Sequence, residues 1–354
     1  MELGTGSRGE SAQVNAELGL ASDHSVYGAY NWSSDTSASR IASEFDQRLT
    51  NGWTVGQRWR ASNRVNVFNE SQSLRGASGG NGISHTVGMD LFPAQGWQLG
   101  VTVMDGELET AGGLVERQAY SFSGGHTDAA AQWASKVEYR EDQGAEQREQ
   151  WVTTHRLLVR LNEDWRFAGR LNWADTDDRL NPAAGARLLE GNVGFAWRPA
   201  DRTDRALFTK YTYLVDEASP GQEGGLRFDQ RSRILAVEGV FELGERWSLA
   251  PKLASRWGEF RMGRGEGAWL DSRADFLALQ LRYHLPGEWD ALGEMRQLSV
   301  RDGGTRRGGL LGVDRQIGDH FRVGMGYNFT DFSDDLTDLE YDHKGFFLNL
   351  SGFY

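Results

Sequence analysis

Apolar and polar positions alternate strictly along many segments of the chain. In "WRFAGRLNW", residues 165–173, every odd position is Trp, Phe, Gly or Leu, and every even position is Arg, Ala or Asn. The segments "LEGNVGFAWR" at 189–198 and "FRVGMGYNFT" at 321–330 repeat the alternation. A period of two is that of a β-strand with two unlike faces, and it does not fit a helix. The pattern therefore predicts an all-β protein.

Short polar turns separate pairs of these strands. Nine such turns are found, near residues 22, 62, 94, 128, 162, 201, 244, 287 and 318. Longer acidic or Gly-rich connections lie between them, at 175–187, 216–229, 258–272 and 330–345. Tight turns at one end of a sheet and long loops at the other are typical of a transmembrane antiparallel up-and-down β-barrel.

The turns also give a strand count. Nine turns join eighteen strands, and the C-terminal segment would be a nineteenth. An antiparallel barrel closes only with an even number, so either "MELGT" belongs to an additional first strand or one pair is misassigned. We therefore predict 18 to 20 strands in a single outer-membrane β-barrel domain covering 1–354, with a first strand truncated at 1–6 as one option. A barrel of this size encloses a wide lumen.

Composition changes this picture little. The 354 residues include 45 Gly, 13 Trp, 10 Tyr, 17 Phe and no Cys, and the formal net charge is −12. The mean hydropathy of −0.57 is compatible with a membrane barrel, because every second residue of a strand faces a wet lumen. The lack of Cys fits passage through an oxidising compartment without disulfides. The acidic balance argues against nucleic acid as a partner.

Aromatic residues cluster at strand starts that follow short turns. Amphipathic rings favour the membrane–water interface, so we expect a lipid-facing aromatic belt. The alternative is a soluble β-sandwich, but two packed sheets would not explain charged residues on nearly every inward face. The predicted belt consists of Trp97, Trp165, Trp173, Trp197, Trp247, Trp289, Phe321 and Tyr354.

The last segment, "GFFLNLSGFY" at 345–354, alternates and finishes on an aromatic residue. Open sheet edges are not tolerated in lipid, so a closing strand has to pair with the first strand. The ending resembles the C-terminal signal of bacterial outer-membrane proteins. That resemblance implies the barrel assembly machinery as a partner, through the C-terminal strand.

A narrower resemblance covers most of the chain. The segments "RVGMGYNFTDFSDDLTDLEYDHKGFFLNLSGFY", "NEDWRFAGRLNW" and "RLLEGNVGFAWRP" look like the C-terminal barrel region of very large Gram-negative surface proteins, which often carry repeated immunoglobulin-like modules upstream. The resemblance implies localisation in the bacterial outer membrane and contact with its lipid and lipopolysaccharide. It also admits upstream passenger domains or a secreted polymer as partners.

The inward faces carry many cations. They can pair with inward carboxylates such as Glu190 and Asp290 across neighbouring strands. Alternatively, they can form an electropositive path through the lumen for anionic or polyhydroxylated solutes. Arg suits this second role because its planar guanidinium binds carboxylate and phosphate through two hydrogen bonds. No acidic residue interrupts the inward faces of the ninth and tenth strands, which makes their four arginines the best candidates. The predicted lumen-lining residues are Arg58, Arg60, Arg156, Arg160, Arg166, Arg170, Lys210, Lys252, Arg256, Arg282, Arg296 and Arg322.

Signals for catalysis are weak. "GASGG" around Ser78 matches G-x-S-x-G, but a nucleophile elbow needs a strand–turn–helix context. Asp342 and His343 adjoin in a long loop, and Asp331 to Asp342 lack calcium-loop spacing, so we expect a solvated outer loop. The sequence predicts no catalytic residue, metal ligand or cofactor. It favours a pore and membrane anchor over two alternatives, a translocator for an upstream surface passenger and a rim enzyme such as a protease or lipase.

Overall fold

The computed structural model describes residues 2–6, 9–33, 52–75, 81–110, 112–182, 185–217, 228–263, 267–318, 320–332, 336 and 344–352. These residues form twenty β-strands. Within them, no helix is long and apolar enough to cross a membrane.

The strands run in chain order, and most are 10 to 16 residues long. Their bounds are β1 Glu2–Gly6, β2 Gly9–Ala21, β3 His24–Ser33, β4 Gly52–Ser62, β5 Val65–Arg75, β6 Asn81–Leu91, β7 Trp97–Thr110, β8 Gly113–Thr127, β9 Ala131–Gly144, β10 Arg148–Arg160, β11 Trp165–Asp178, β12 Ala186–Trp197, β13 Arg205–Glu217, β14 Phe228–Glu242, β15 Trp247–Met262, β16 Leu270–Leu285, β17 Trp289–Val300, β18 Gly304–Ile317, β19 Phe321–Asn328 and β20 Gly345–Gly352.

Each strand pairs antiparallel with the next one along the chain, from β1 with β2 to β19 with β20. This is the up-and-down strand order that the sequence predicts, whereas the expected pairing of the last strand with the first is not found among the described residues and stays a prediction. In the described part of the chain, β1 brings the number of strands to twenty, so the even count comes from the additional first strand.

All nine predicted short turns join consecutive strands, from β2–β3 to β18–β19. Side-chain oxygens close several of them. Asp128 Oδ1 accepts hydrogen bonds from the amides of Ala130 and Ala131 at 2.8 and 2.7 Å, and Asn162 Oδ1 accepts them from Asp164 and Trp165 at 2.9 and 2.8 Å. Asx side chains that bond to amides two and three residues on stabilise tight turns, which explains why these polar segments end one strand and begin the next.

The opposite end of the barrel differs from the expected run of long loops. Only two or three residues, 111–112, 145–147 and 301–303, separate β7 from β8, β9 from β10 and β17 from β18. Some segments expected to be loop are strand, since β11 continues to Asp178. The strands therefore extend beyond the part of the outer face that carries apolar side chains. In this extension carboxylates replace apolar residues, but the backbone hydrogen bonds between strands continue.

The ladder registers sort the side chains into two faces. Partners that lie directly opposite share a face, so a chain of opposite pairs can be followed around the sheet. One face, the outer face, carries exposed large apolar side chains such as Leu253, Leu277 and Leu279. The other, the inner face, carries the charged residues together with two buried apolar clusters.

Candidate functional site on the inner wall of the barrel

The registers place the twelve predicted lumen-lining cations on the inner face. Arg156, for example, lies opposite Arg170, and Arg256 lies opposite Ala274, which lies in the larger buried cluster. The other members follow from the same ladders. Their role as the lining of a conducting pore stays a prediction.

Near the turns between β14 and β19, the inner cations are neutralised. Asp290 accepts a hydrogen bond from Arg282 at 3.4 Å and another from Arg322, which also binds Asp314. Arg296 pairs with Glu294. On this side of the barrel the charges are paired, as the simpler interpretation of the sequence expects, although Arg296 and Glu294 belong to the same strand and Arg322 reaches Asp290 two strands away.

The inner faces of β10 and β11 differ from this arrangement. Arg156 lies directly opposite Arg170, and Arg160 lies directly opposite Arg166. All four side chains are exposed, and no carboxylate of the described residues lies within salt-bridge distance of them. Like charges directly opposite each other destabilise a sheet. We call these four residues the arginine quartet.

No acidic residue of the flanking strands lies directly opposite a member of the arginine quartet. Ala134 of β9 lies opposite Arg156, whereas Asn192 and Ala196 of β12 lie opposite Arg170 and Arg166. The closest side-chain partner is neutral, since Arg170 Nε donates to Asn172 Oδ1 at 3.3 Å. The quartet is therefore a concentrated, solvent-exposed block of positive charge.

Further from the short turns, the same wall becomes a buried polar ladder. Asn172 Nδ2 and Asn192 Nδ2 donate to the two oxygens of Glu190 at 3.1 and 2.8 Å. Thr212 Oγ1 donates to Asn192 Oδ1 at 2.6 Å. Beyond this ladder lies a buried apolar cluster of Val152, Ala174, Leu188 and Leu214. The inner wall of β10–β13 thus changes from exposed and basic to buried and apolar along the strands.

The connection between β19 and β20 contributes to the interior. Phe332 and Leu336 are only 2 and 1% exposed, which differs from the solvated loop expected here. We call these two residues the lumen anchor. They pack into an apolar recess on the inner face of β14–β17, formed by Ile234, Ala254, Ala274, Phe276, Ala278 and Leu298.

Local contacts hold the lumen anchor in place. The ring of Phe332 meets that of Phe276 edge-on, with the ring centroids 6.4 Å apart. Thr330 Oγ1 and the amide of Phe329 both donate to the carbonyl of Gly309, at 3.3 and 2.8 Å. These bonds fix the point at which the chain leaves β19 and turns inward.

Two buried polar groups border the apolar recess without full partners. Arg256, 4% exposed, donates from Nη2 to Gln230 Oε1 at 2.9 Å, but its Nε finds no acceptor among the described residues. The hydroxyl of Ser232, on the neighbouring strand, has none there either. Burying a guanidinium with only a neutral partner costs free energy. The burial of Arg256 therefore opposes the packing of the lumen anchor into the recess.

The described residues of the predicted aromatic belt lie on the outer face, and their contact with the membrane interface stays a prediction. Trp97, Trp165, Trp247, Trp289 and Phe321 each begin a strand after a short turn and are 39 to 52% exposed. Trp197 ends β12 and lies 6.3 Å from Trp165, ring centre to ring centre. Trp173 lies eight residues further along β11, and Tyr354 lies outside the described residues.

Sequence reasoning did not place Trp133 or Tyr283 in the belt. The Trp133 ring lies 6.1 Å from that of Trp97, and the Tyr283 ring lies 4.5 Å from that of Trp247. Tyr283 lies directly opposite Trp247, and Trp133 lies two strands from Trp97 with His126 between them. These relations can be found only once the register is known.

Three residues carry the weaker chemical signals of the sequence, and all of them, Ser78, Asp342 and His343, lie outside the described residues. Within the described ranges, no group of three His, Asp or Glu side chains is placed to hold a metal ion.

A Ser–His–Asp contact does occur between β15, β16 and β17. Ser248 Oγ lies 3.2 Å from His284 Nε2, and His284 Nδ1 lies 2.5 Å from Asp290 Oδ1. The serine hydroxyl donates to Glu242 Oε2 at 2.6 Å instead, and Arg282 and Arg322 engage Asp290. The arrangement therefore links five strands, β14 to β17 and β19, by hydrogen bonds and ion pairs.

No family model matches the chain, and no curated protein matches it. Among solved structures, the copper transporter OprC is similar, with a TM-score of 0.55 and 12% identity over 98% of this chain and 70% of that one. The alcaligin outer-membrane receptor FauA from Bordetella pertussis has a TM-score of 0.48 at 10% identity, covering 94% of this chain and 67% of its own.

The likeness to OprC defines the class of protein by its fold. The chain is a transmembrane antiparallel β-barrel of the kind built by an outer-membrane transporter. The comparisons give no support to the narrower resemblance to the barrel regions of large surface proteins.

Proposed function

We propose that this protein is an integral barrel of the bacterial outer membrane whose lumen passes anionic or polyhydroxylated solutes. The observation that carries the proposal is the arginine quartet. Two Arg–Arg pairs lie directly opposite each other on the inner face without a carboxylate partner. A wall built only for hydration would gain by pairing these charges, as it does around Asp290.

Electrostatics gives the quartet influence over what enters. Fixed charges attract counter-ions over roughly one Debye length, about 8 Å at physiological ionic strength. The quartet is concentrated on two adjacent strands, so its fields add within that distance. The lumen anchor occupies part of the interior and supports a passage narrower than twenty strands alone would leave.

Replacing Arg156, Arg160, Arg166 and Arg170 by Gln is expected to shift the ion selectivity of the purified barrel toward cations. Four screened charges at about 8 Å stabilise a monovalent anion by roughly 0.8 kcal/mol and destabilise a cation by about the same amount, so their removal corresponds to a fall of about fifteenfold in the anion-to-cation permeability ratio. Reversal potentials across planar bilayers in a KCl gradient measure this ratio.

The matched control replaces the same four residues by Lys. It keeps the charge and removes the guanidinium fork, so the selectivity of the unaltered barrel should persist. A barrel that conducts with the same selectivity after the Gln replacements would contradict the proposal.

The translocator and anchor alternative concerns the same fold. A barrel that gives no conductance at all, yet inserts normally, would favour an anchor for an upstream surface passenger over a solute pore. A polypeptide held inside the lumen of the complete protein would favour a translocator.

The rim-enzyme alternative has one feature in its favour, the contact of Ser248, His284 and Asp290. Because the serine hydroxyl donates to Glu242 and two arginines hold Asp290, we assign this group to cross-strand linkage. An esterase or protease activity lost on Ser248→Ala would contradict that assignment.

A further inference from the structure

We infer that the arginine quartet forms two anion-binding claws and that its solute carries two anionic groups about 13 Å apart, separated by an uncharged middle. The inference rests on the proposed function and names the class of solute. The first claw is Arg156 with Arg170, and the second is Arg160 with Arg166.

Each claw has the geometry to hold one anion. Side chains directly opposite on an antiparallel pair have Cβ atoms about 4.5–5.5 Å apart, so two guanidinium groups can converge on one phosphate or carboxylate. Arginine forks bind such groups bidentately through charge-assisted hydrogen bonds. A bound anion would also remove the repulsion between the two cations of each claw.

The distance between the claws follows from the strand. Arg156 and Arg160 are four residues apart on β10, as are Arg166 and Arg170 on β11. A rise of about 3.3 Å per residue gives a separation of about 13 Å. One anionic group cannot reach both claws over this distance, whereas an elongated solute with an anion at each end can.

The wall directly between the claws is apolar and open, and polar side chains, Gln132 of β9 and Lys210 of β13, lie on either side of this apolar centre. Leu158, 42% exposed, lies opposite Ala168, and both face inward between the two claws. Gly194 of β12 lies opposite Ala168 and adds no side chain. A solute with an uncharged, partly apolar middle would cover Leu158, while a charged group held over Leu158 and Ala168 would lose hydration, because the nearest inward cation of this row, Lys210, lies beyond Gly194.

Binding of a series of α,ω-alkanediphosphonates to the purified barrel in detergent, measured by calorimetry, tests this geometry. The affinity should be greatest for the member whose phosphorus atoms are about 13 Å apart when extended. The matching monophosphonate should bind at least about tenfold more weakly, because the second group binds intramolecularly only when its length fits. Equal affinity across the series would overturn the inference.

Two variants identify the claws. Each double variant removes one claw and should reduce the affinity for the best diphosphonate to that of the monophosphonate. The two double variants are Arg156→Gln with Arg170→Gln and Arg160→Gln with Arg166→Gln. The control pair, Arg205→Gln with Arg315→Gln, removes two charges from the outer face near the same end of the barrel and should leave binding unchanged. Equal losses in all three would overturn the inference, and heat-modifiable migration verifies that each variant is folded.

Binding is measured without ionic current, so the inference and the proposed function can fail separately. A barrel that binds the diphosphonate at the quartet but does not conduct would refute the pore and retain the two-claw site. A barrel with quartet-dependent selectivity and no dependence on diphosphonate length would retain the pore and refute the site.

Discussion

Replacing Phe332 and Leu336 together by Ala is expected to expose the apolar recess to the lumen. The chain contains no Cys, so a single Ala278→Cys reporter on the recess wall, 5% exposed in the native barrel, can follow this change. Its reaction with a water-soluble maleimide should become at least about tenfold faster. The fraction of molecules with an open recess rises about tenfold for each 1.4 kcal/mol of packing free energy that the replacements remove.

The size of the effect follows from what the lumen anchor buries. Truncating a buried Phe or Leu to Ala typically costs about 2–5 kcal/mol, and both side chains lie within 2% of full burial. The opposing cost of Arg256, buried with a neutral partner, would no longer be offset. Loss of the anchor should therefore release the connection from the recess rather than leave two small cavities.

Phe329→Ala provides the matched control. Phe329 belongs to the same connection but is 50% exposed and contacts the ring of Tyr327, so its truncation should leave the labelling rate of Cys at position 278 close to native. Single-channel conductance should rise with the double replacement and not with the control. Unchanged labelling and conductance in the double variant would show that Phe332 and Leu336 do not restrict the lumen.

The barrel itself could be predicted because membrane strands obey local rules. Alternation with period two gives the faces, and Asx or Gly residues mark the turns. Both signals lie within a few neighbouring residues, as in the segment from Asn162 to Trp173. The even strand number was left open because β1 contributes only Glu2–Gly6, too short for a clear alternation.

The lumen anchor was missed because its signal is divided between distant parts of the chain. Phe332 and Leu336 stand among acidic residues, so the local sequence resembles a solvated loop. The complementary signal lies in β14 and β16, where Ile234 and Phe276 make both faces apolar. A short apolar stretch on an otherwise polar inner face predicts that something apolar covers it, but only the folded chain identifies the cover.

The arginine quartet could be predicted because its four residues stand on a continuous stretch of two consecutive strands without inward acid, which is also a local pattern; the extension of β11 to Asp178, paired with Arg148, adds an inward acid only at the far end. The pairing within the quartet could not be predicted, since a shift of one residue between β10 and β11 would move one set of arginines to the other face. The register that joins Arg156 to Arg170 follows from the turn closed by Asn162, which fixes where β11 begins.

Placing Arg at Leu279 is expected to destabilise the barrel by about 2–4 kcal/mol, the cost of a charge facing lipid near the middle of the membrane. Leu279 is on the outer face of β16, 46% exposed, opposite Pro251 and Met295. None of these neighbours can hydrate or pair with a guanidinium. Reversible unfolding by denaturant in lipid vesicles measures the free energy.

Leu285→Arg is the matched control for this prediction, because it makes the same change on the same face of the same strand. Leu285 ends β16 beside the turn to β17 and lies opposite Trp289, a residue of the aromatic belt. At this depth the guanidinium reaches water and lipid headgroups, so the cost should fall to about 0–1 kcal/mol. Equal costs at the two positions would mean that β16 does not cross the membrane with Leu279 facing lipid, and the assignment of outer and inner faces would have to be reversed or abandoned.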